Sequence, residues 1–239
     1  MRLSTLSVAA PGIAALILCS ASAAPAASSD VAPSGVNAVQ RSTDAVASAL
    51  HGFPKKKGCG FTNGTIDGGN WITSQDIYDF GIVSDAADDF RCVKATTLKS
   101  LRWQAAYNES PGPAEWFDVF VYADKGGEPS DTAMCSYLNQ SYKATGDPSY
   151  PQITIKRLSG DACHLARHTT YWLEQRAHMS YQDGGQIGWE VTSVLTGNAA
   201  DWRNPDGGFG SSCGVFQNDT DMQTCLGLSG TPDFIFSVK

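Results

Sequence analysis

His164, His168 and His178, the strand-borne acids Glu174 and Glu190, and six tryptophans are the side chains of this chain with the most chemistry to offer. His164 and His168 stand four apart, which on one face of a helix would suit a metal ion. CHLARHTTYW, however, reads as strand, turn, strand, where that spacing confers no ligating geometry. Ser180 and Asp183 follow His178 closely and supply the residue types of a nucleophilic triad, but a triad is made by geometry and not by proximity in sequence. No Gly-x-Ser-x-Gly elbow accompanies them. Glycoside hydrolysis asks for two carboxyl groups roughly 5–9.5 Å apart across a cleft, and Glu174 with Glu190 is the pair best placed on strands. With 22 acidic side chains in residues 58–239, such a pair is also expected by chance.

Oxygen-rich corners form a third class. Asp88, with Asp89, opens one strand, and Asp124 and Asp131 bracket a turn that contains Glu128. Such corners can hold a structural calcium ion, although the spacing of a dedicated calcium loop is absent. No other cofactor is expected. The tryptophans are Trp71, Trp103, Trp116, Trp172, Trp189 and Trp202. A sandwich of this length needs two or three in its core, which leaves others for the surface. Trp172, on the same strand face as Glu174, Arg176 and His178, is a candidate sugar-stacking residue, and Arg102 and Gln104 would join it if their strands were neighbours. The opposing reading puts Trp172 in the core and turns Tyr171 outward. Trp202 and Phe209, in DWRNPDGGFGSSC (201–213), either plug one end of the fold beneath an Ω-type loop or contact a ligand.

These side chains must be positioned by strands. Period-two alternation places Leu101, Trp103, Ala105 and Tyr107 on one face and Arg102, Gln104 and Ala106 on the other. Phe117, Val119 and Val121 alternate with Asp118, Phe120 and Tyr122. Tyr171, Leu173, Gln175, Ala177 and Met179 oppose Trp172, Glu174, Arg176 and His178. Short strands also fit Ile153–Ile155, Gln186–Val191 and Phe234–Val238. Turn signals such as Asn63-Gly64, Asp67-Gly68-Gly69 and Lys125-Gly126-Gly127-Glu128-Pro129 separate the strands. The expected fold is all-β: a single disulfide-stapled β-sandwich, jelly-roll-like.

The first residues read as a secretory signal peptide, with Arg2, an apolar Val8–Leu18 core and Ala21-Ser22-Ala23 as the cleavage site, spanning 1–23. Residues 24–57 are an Ala/Ser/Pro-rich linker or propeptide ending in three lysines, and 58–239 form the β-sandwich domain. Cys59, Cys92, Cys135, Cys163, Cys213 and Cys225 remain after cleavage, an even number suited to disulfides in an oxidising compartment. Loop-closure economy favours Cys59–Cys92, Cys135–Cys163 and Cys213–Cys225. Residues 58–239 hold 12 basic and 22 acidic side chains, a balance that disfavours nucleic acid and anionic membrane surfaces; no stretch after the signal approaches the roughly 18 apolar residues that membrane insertion needs, and an extracellular ligand such as polysaccharide is the expected partner. Asn-x-Ser/Thr sequons stand at Asn63, Asn108, Asn139 and Asn218.

ADDFRC (87–92), GPAEWFDVFVYADKGGEPSDTAMCSY (112–137), TTYWLEQRAHM (169–179) and GGQIGWE…GNAADWRNPDGGFGSSC (184–213) together resemble a group of secreted bacterial β-sandwich domains. Thr169-Thr170 stands where that group has Gly-Thr, and Asp206 replaces the first glycine of a triplet. The resemblance implies fold, secretion and a bacterial source, and carries no activity. The expected function is a secreted, non-catalytic binding or structural module, with polysaccharide as its ligand class; the alternative is a glycan hydrolase using Glu174 and Glu190.

Overall fold

The computed structural model describes residues 36–38, 59–64, 70–110, 112–210, 213–216, 225–228 and 233–239. The expected signal peptide and most of the expected linker lie outside them, as does Asn218. In chain order the strands are β1 (Val36–Ala38), β2 (Phe61–Asn63), β3 (Asn70–Thr73), β4 (Gln75–Ile77), β5 (Ile82–Arg91), β6 (Thr96–Thr97), β7 (Leu101–Asn108), β8 (Trp116–Asp124) and β9 (Pro129–Gln140). There follow β10 (Lys143–Asp147), β11 (Tyr150–Ile155), β12 (His164–Leu165), β13 (Thr170–His178), the one-turn helix α1 (Tyr181–Gly184), β14 (Gln186–Thr192), β15 (Asp201–Arg203), β16 (Asp233–Phe234) and β17 (Phe236–Val238).

Two large sheets result. The first runs β1-β3-β14-β7-β11-β10, with β17 and then β2 continuing from β7 and β16 beside β14. The second runs β15-β5-β4-β13-β8-β9, with β5 also pairing β13, and β6 and β12 form a separate ribbon. From β3 onward the chain keeps passing between the large sheets: to β4–β5, back to β7, over to β8–β9, and back to β10–β11. That winding makes a jelly-roll-like β-sandwich. β1 falls within the segment expected to be linker, and pairs its backbone with Asn70–Ile72 of β3, which makes β1 the edge of the sheet.

Alternation accounts for the layers. Leu101, Trp103, Ala105 and Tyr107 of β7, Phe117, Val119 and Val121 of β8, and Tyr171, Leu173 and Ala177 of β13 meet in one core. Five of the six tryptophans are buried, more than the two or three expected, and only Trp116 retains partial exposure. Trp189 shows why: it stacks on Phe234 at 4.6 Å between ring centres and meets Phe236 edge-on at 5.2 Å. Each such pair adds roughly 0.5–1.5 kcal/mol beyond area burial.

Ser74 is the corner at which one extended run leaves the first sheet, as β3, and enters the second, as β4. A buried residue at such a crossing lacks a regular ladder and must satisfy its polar groups otherwise. Its hydroxyl donates to the Gln175 carbonyl and accepts from the Ala86 amide at 3.2 Å, while its own carbonyl takes the Ala177 amide at 3.0 Å. The three disulfides are Cys59–Cys92, Cys135–Cys163 and Cys213–Cys225, the neighbour pairing favoured by loop closure. Asn63 is buried, with Nδ2 donating to the Phe234 carbonyl at 3.1 Å, so this sequon is closed to glycosylation in the folded chain.

Gly188 of β14 faces Trp71, and a Cβ there would lie 2.5 Å from the Ile72 carbonyl oxygen as well as inside the indole's contact radius. Backbone cannot yield as a side chain can. Gly188→Ala is therefore expected to lower unfolding free energy by about 3 kcal/mol, measured by urea denaturation followed through tryptophan fluorescence.

Candidate functional site

β13 is flanked by β8 on one side and by β5 and β4 on the other. Its register sets Trp172, Glu174, Arg176 and His178 beside Tyr122, Phe120, Asp118 and Trp116 of β8. On the opposite flank Trp172 meets Asp89, Glu174 meets Ala87 and His178 meets Asp76. These residues line the face turned away from the core; the alternation read from the sequence grouped them on one face, and packing shows that Tyr171, Leu173 and Ala177 hold the inward one. Arg102 and Gln104 belong to β7 in the other sheet and do not join them.

The middle of this face is a buried ion network. Asp85 and Glu174 are both fully buried. Arg176 Nε reaches Asp85 Oδ1 at 2.6 Å, and Arg203 Nε, from β15, reaches Asp85 Oδ2 at 2.6 Å. Arg176 Nη2 also contacts Glu174 Oε1 at 2.9 Å, and the Tyr122 hydroxyl donates to Glu174 Oε2 at 2.6 Å. The guanidinium of Arg176 lies 4.9 Å from the Phe120 ring centre and that of Arg203 lies 4.3 Å from that of Phe216. Burial, reinforced by the neighbouring Asp85 charge, pushes the Glu174 carboxyl up to about 8 against the pull of both arginines.

Trp172 fits neither expectation made for it. Tyr171 faces the core, and Trp172 points to the other side, yet it is fully buried there with Ala87 and Tyr122, under Phe120, Ala133 and Phe216. Its Nε1 donates to Asp124 Oδ1 at 3.0 Å. It offers no ring face to a ligand. Trp202 is likewise fully buried, with Nε1 donating to the Thr73 carbonyl at 3.0 Å and Phe209 set edge-on at 6.0 Å. The Asn204 amide bonds to the Cys213 carbonyl at 2.6 Å, closing the loop on itself. Trp202 and Phe209 thus pack on each other, and Arg176 is held by carboxylates; the four candidate binding residues form no open platform.

The catalytic alternative also loses its geometry. Ile187 and Trp189 turn one face of β14 to the core, so Glu190 faces outward from the first sheet while Glu174 faces outward from the second. Acids on opposite outer faces share no cleft. Ser180 Oγ donates to Asp79 Oδ2 at 3.0 Å and caps α1, whereas His178 Nδ1 contacts Asp76 Oδ2 at 2.9 Å, so the residues near His178 do not assemble as a triad. The suggested calcium ligands are similarly dispersed. Asp88 Oδ2 accepts the Phe234 amide at 2.7 Å, Asp124 holds Trp172, and exposed Asp131 pairs with Lys125 at 2.8 Å. Among the described residues, no group of three or more His, Cys, Asp or Glu is placed to hold a metal ion.

The open end of the outer face holds what the sequence reading missed. His178 is sandwiched between Trp116, at 4.1 Å and 10° between planes, and Tyr78, at 4.6 Å and 24°. The Tyr78 hydroxyl donates to Glu115 Oε1 at 2.6 Å, and that acid raises the phenol's pKa. Tyr78 and Phe80 are 43% and 44% exposed. Trp116 sits on the same parity as Asp118 and Phe120, which was legible; that its neighbour is His178, and that Tyr78 closes the stack, follow from strand pairing alone.

Comparison with family models, with curated proteins and with solved structures returns no match to this chain.

Two stability predictions follow from the buried charges. Asp85→Ala strands two largely buried guanidiniums and should cost about 3–5 kcal/mol in urea unfolding, whereas Arg176→Met with Glu174→Leu should cost less, because it leaves Asp85 paired with Arg203 and strands no guanidinium. The second concerns Asp88, Asp89 and Asp233. Burial raises all three carboxyls, aided at Asp88 by the charge of Asp233, and Asp89, only 2% exposed, is pushed up to about 6. A carboxyl raised in the folded state binds more protons there than in the unfolded chain. Stability should therefore fall as pH rises from about 4 to about 6. Asp89→Asn should remove up to about 3 kcal/mol of that fall, read as a flatter dependence of melting temperature on pH.

Proposed function

We propose that this protein is a secreted, non-catalytic module that binds polysaccharide at the aromatic row Trp116–His178–Tyr78. The observation that carries the reading is that the one tryptophan left partly exposed is stacked into a row of rings flanked by carboxylates. Sugars present apolar C–H faces and hydroxyl edges. Aromatic surface takes the first and a carboxylate accepts hydrogen bonds from the second. Asp76, which contacts the central His178, and Glu115, which accepts from Tyr78, supply the carboxylates.

Compartment is consistent with this. Three disulfides suit an oxidising environment, and the N-terminal sequence reads as an export signal. Among the described residues no helix is long and apolar enough to cross a membrane. The secreted β-sandwich resemblance agrees with export and names no ligand. A purely structural role remains the competing reading, since the buried ion network and the plugged loop serve rigidity as well as any site.

Retention on insoluble polysaccharides separates the two. Wild type should be depleted from solution by at least one neutral polysaccharide, and Trp116→Ala or Tyr78→Ala should weaken retention at least about tenfold, some 1.4 kcal/mol, with unchanged melting temperature for the exposed Tyr78 variant. Trp202→Ala is a folding control, expected to lose stability rather than contacts. Equal retention of wild type and both aromatic variants, or no retention on any polysaccharide, would sink the proposal.

A further inference from the structure

The outer face of the first sheet carries a different feature, a cavity of about 240 Å³ lined by Ser100, Leu101, Arg102, Thr154, Lys156, Ser237 and Lys239. Its construction follows from register. Thr154 of β11 and Ser237 of β17 both pair with Arg102 of β7, placing the guanidinium between two hydroxyls. One step further along the same parity stand Lys156, after β11, and Lys239, after β17, and Lys239 exchanges backbone hydrogen bonds with Ser100 at 3.0 and 3.2 Å. Leu101, Trp103, Ile153, Ile155, Phe236 and Val238 occupy the opposite parity and fill the core, so the polar set cannot turn inward. Lys143 of β10 pairs with Thr154 and extends the row. On the outer rows of these strands Asp147 is the one acid, beyond Lys143 and Thr145.

We propose that this cavity binds an anionic group of an extracellular polysaccharide, a uronate carboxylate or a sulfate ester. Three cationic side chains around three hydroxyls match the charge and the several acceptor oxygens of such a group. Arg102 and Lys239 each already make an interaction within the protein, and with five and three N–H donors their side chains can share an anion's oxygens as well. Nucleic acid offers anionic oxygens too, but its dense phosphates would also confront the rest of a domain that as a whole holds 22 acidic against 12 basic side chains. This site lies on the sheet opposite the aromatic row and does not depend on it.

The test is biolayer interferometry of the disulfide-intact protein on immobilised polygalacturonate, dextran sulfate, neutral dextran and duplex DNA. Wild type should bind at least one of the two charged polysaccharides more tightly than dextran or DNA, and weaken as salt rises from about 20 to about 200 mM. Lys156→Gln with Lys239→Gln should weaken that binding at least about tenfold, or 1.4 kcal/mol, and Thr154→Arg should tighten it. Trp116→Ala should leave it unchanged, and the lysine variant should leave retention on neutral polysaccharide unchanged, so the two sites fail independently. The inference is overturned if the lysine variant binds as wild type does, if dextran or DNA binds as well as both charged glycans, or if inorganic sulfate binds while neither glycan does.

Discussion

Asp85 is the point on which the outer face of the second sheet depends. It is a fully buried carboxylate in the middle of a sheet, and its charge is tolerated because guanidiniums from β13 and β15 converge on its two oxygens. Removing charges from water costs several kcal/mol each, so the arrangement stabilises nothing unless all of it is present. That condition fixes the neighbours. Arg203 must sit opposite Asp85 across the β15–β5 pairing, Glu174 must accept from Tyr122, and the arginine faces must find Phe120 and Phe216. A network with such demands specifies register more than it adds stability, since a slip of one residue in β13 would leave two buried acids without partners.

Strand identity and sidedness were legible because they are local. The alternation in β7, β8 and β13 separated the two faces of each strand as they stand, and loop-closure economy paired the cysteines. What lies above an outward residue is not local. Trp172 looked available because its strand face was polar further along, but Phe216, from beyond Cys213 in the chain, helps cover it. The same limit explains Glu174 and Glu190: each sits on a strand with the right parity, and only the sheet to which each strand belongs shows that they point apart. Tyr78 was missed for the converse reason. It follows β4, whose short parallel contact with the end of β13 has no signature in either segment.

The loop that raised the question of function in the sequence is resolved by its two aromatics. Trp202 serves the core while its backbone, with that of Arg203, pairs with β5, so the segment is a strand of the second sheet before it is a loop. Its proline and glycines shape the return from that strand to Cys213, where the Asn204 amide is already bonded. Loops that close on their own backbone in this way can be ordered without being binding surfaces.

Formal charge is a poor guide to the field outside this molecule. Among the described residues, seven acids are buried: Asp85, Asp88, Asp89, Glu174, Glu190, Asp201 and Asp233. Asp85 is neutralised by arginines, and burial raises the pKa of Glu174, Asp88, Asp89 and Asp233 toward the uncharged form. Solvent therefore meets fewer negative charges than the sequence counts. The basic side chains are not distributed evenly either: Arg176 and Arg203 bind acids of the second sheet, whereas Lys143, Arg102, Lys156 and Lys239 stand on the outer face of the first. An acidic chain can thus present one face to an anion, because interior acids leave the surface potential to the residues that remain in water.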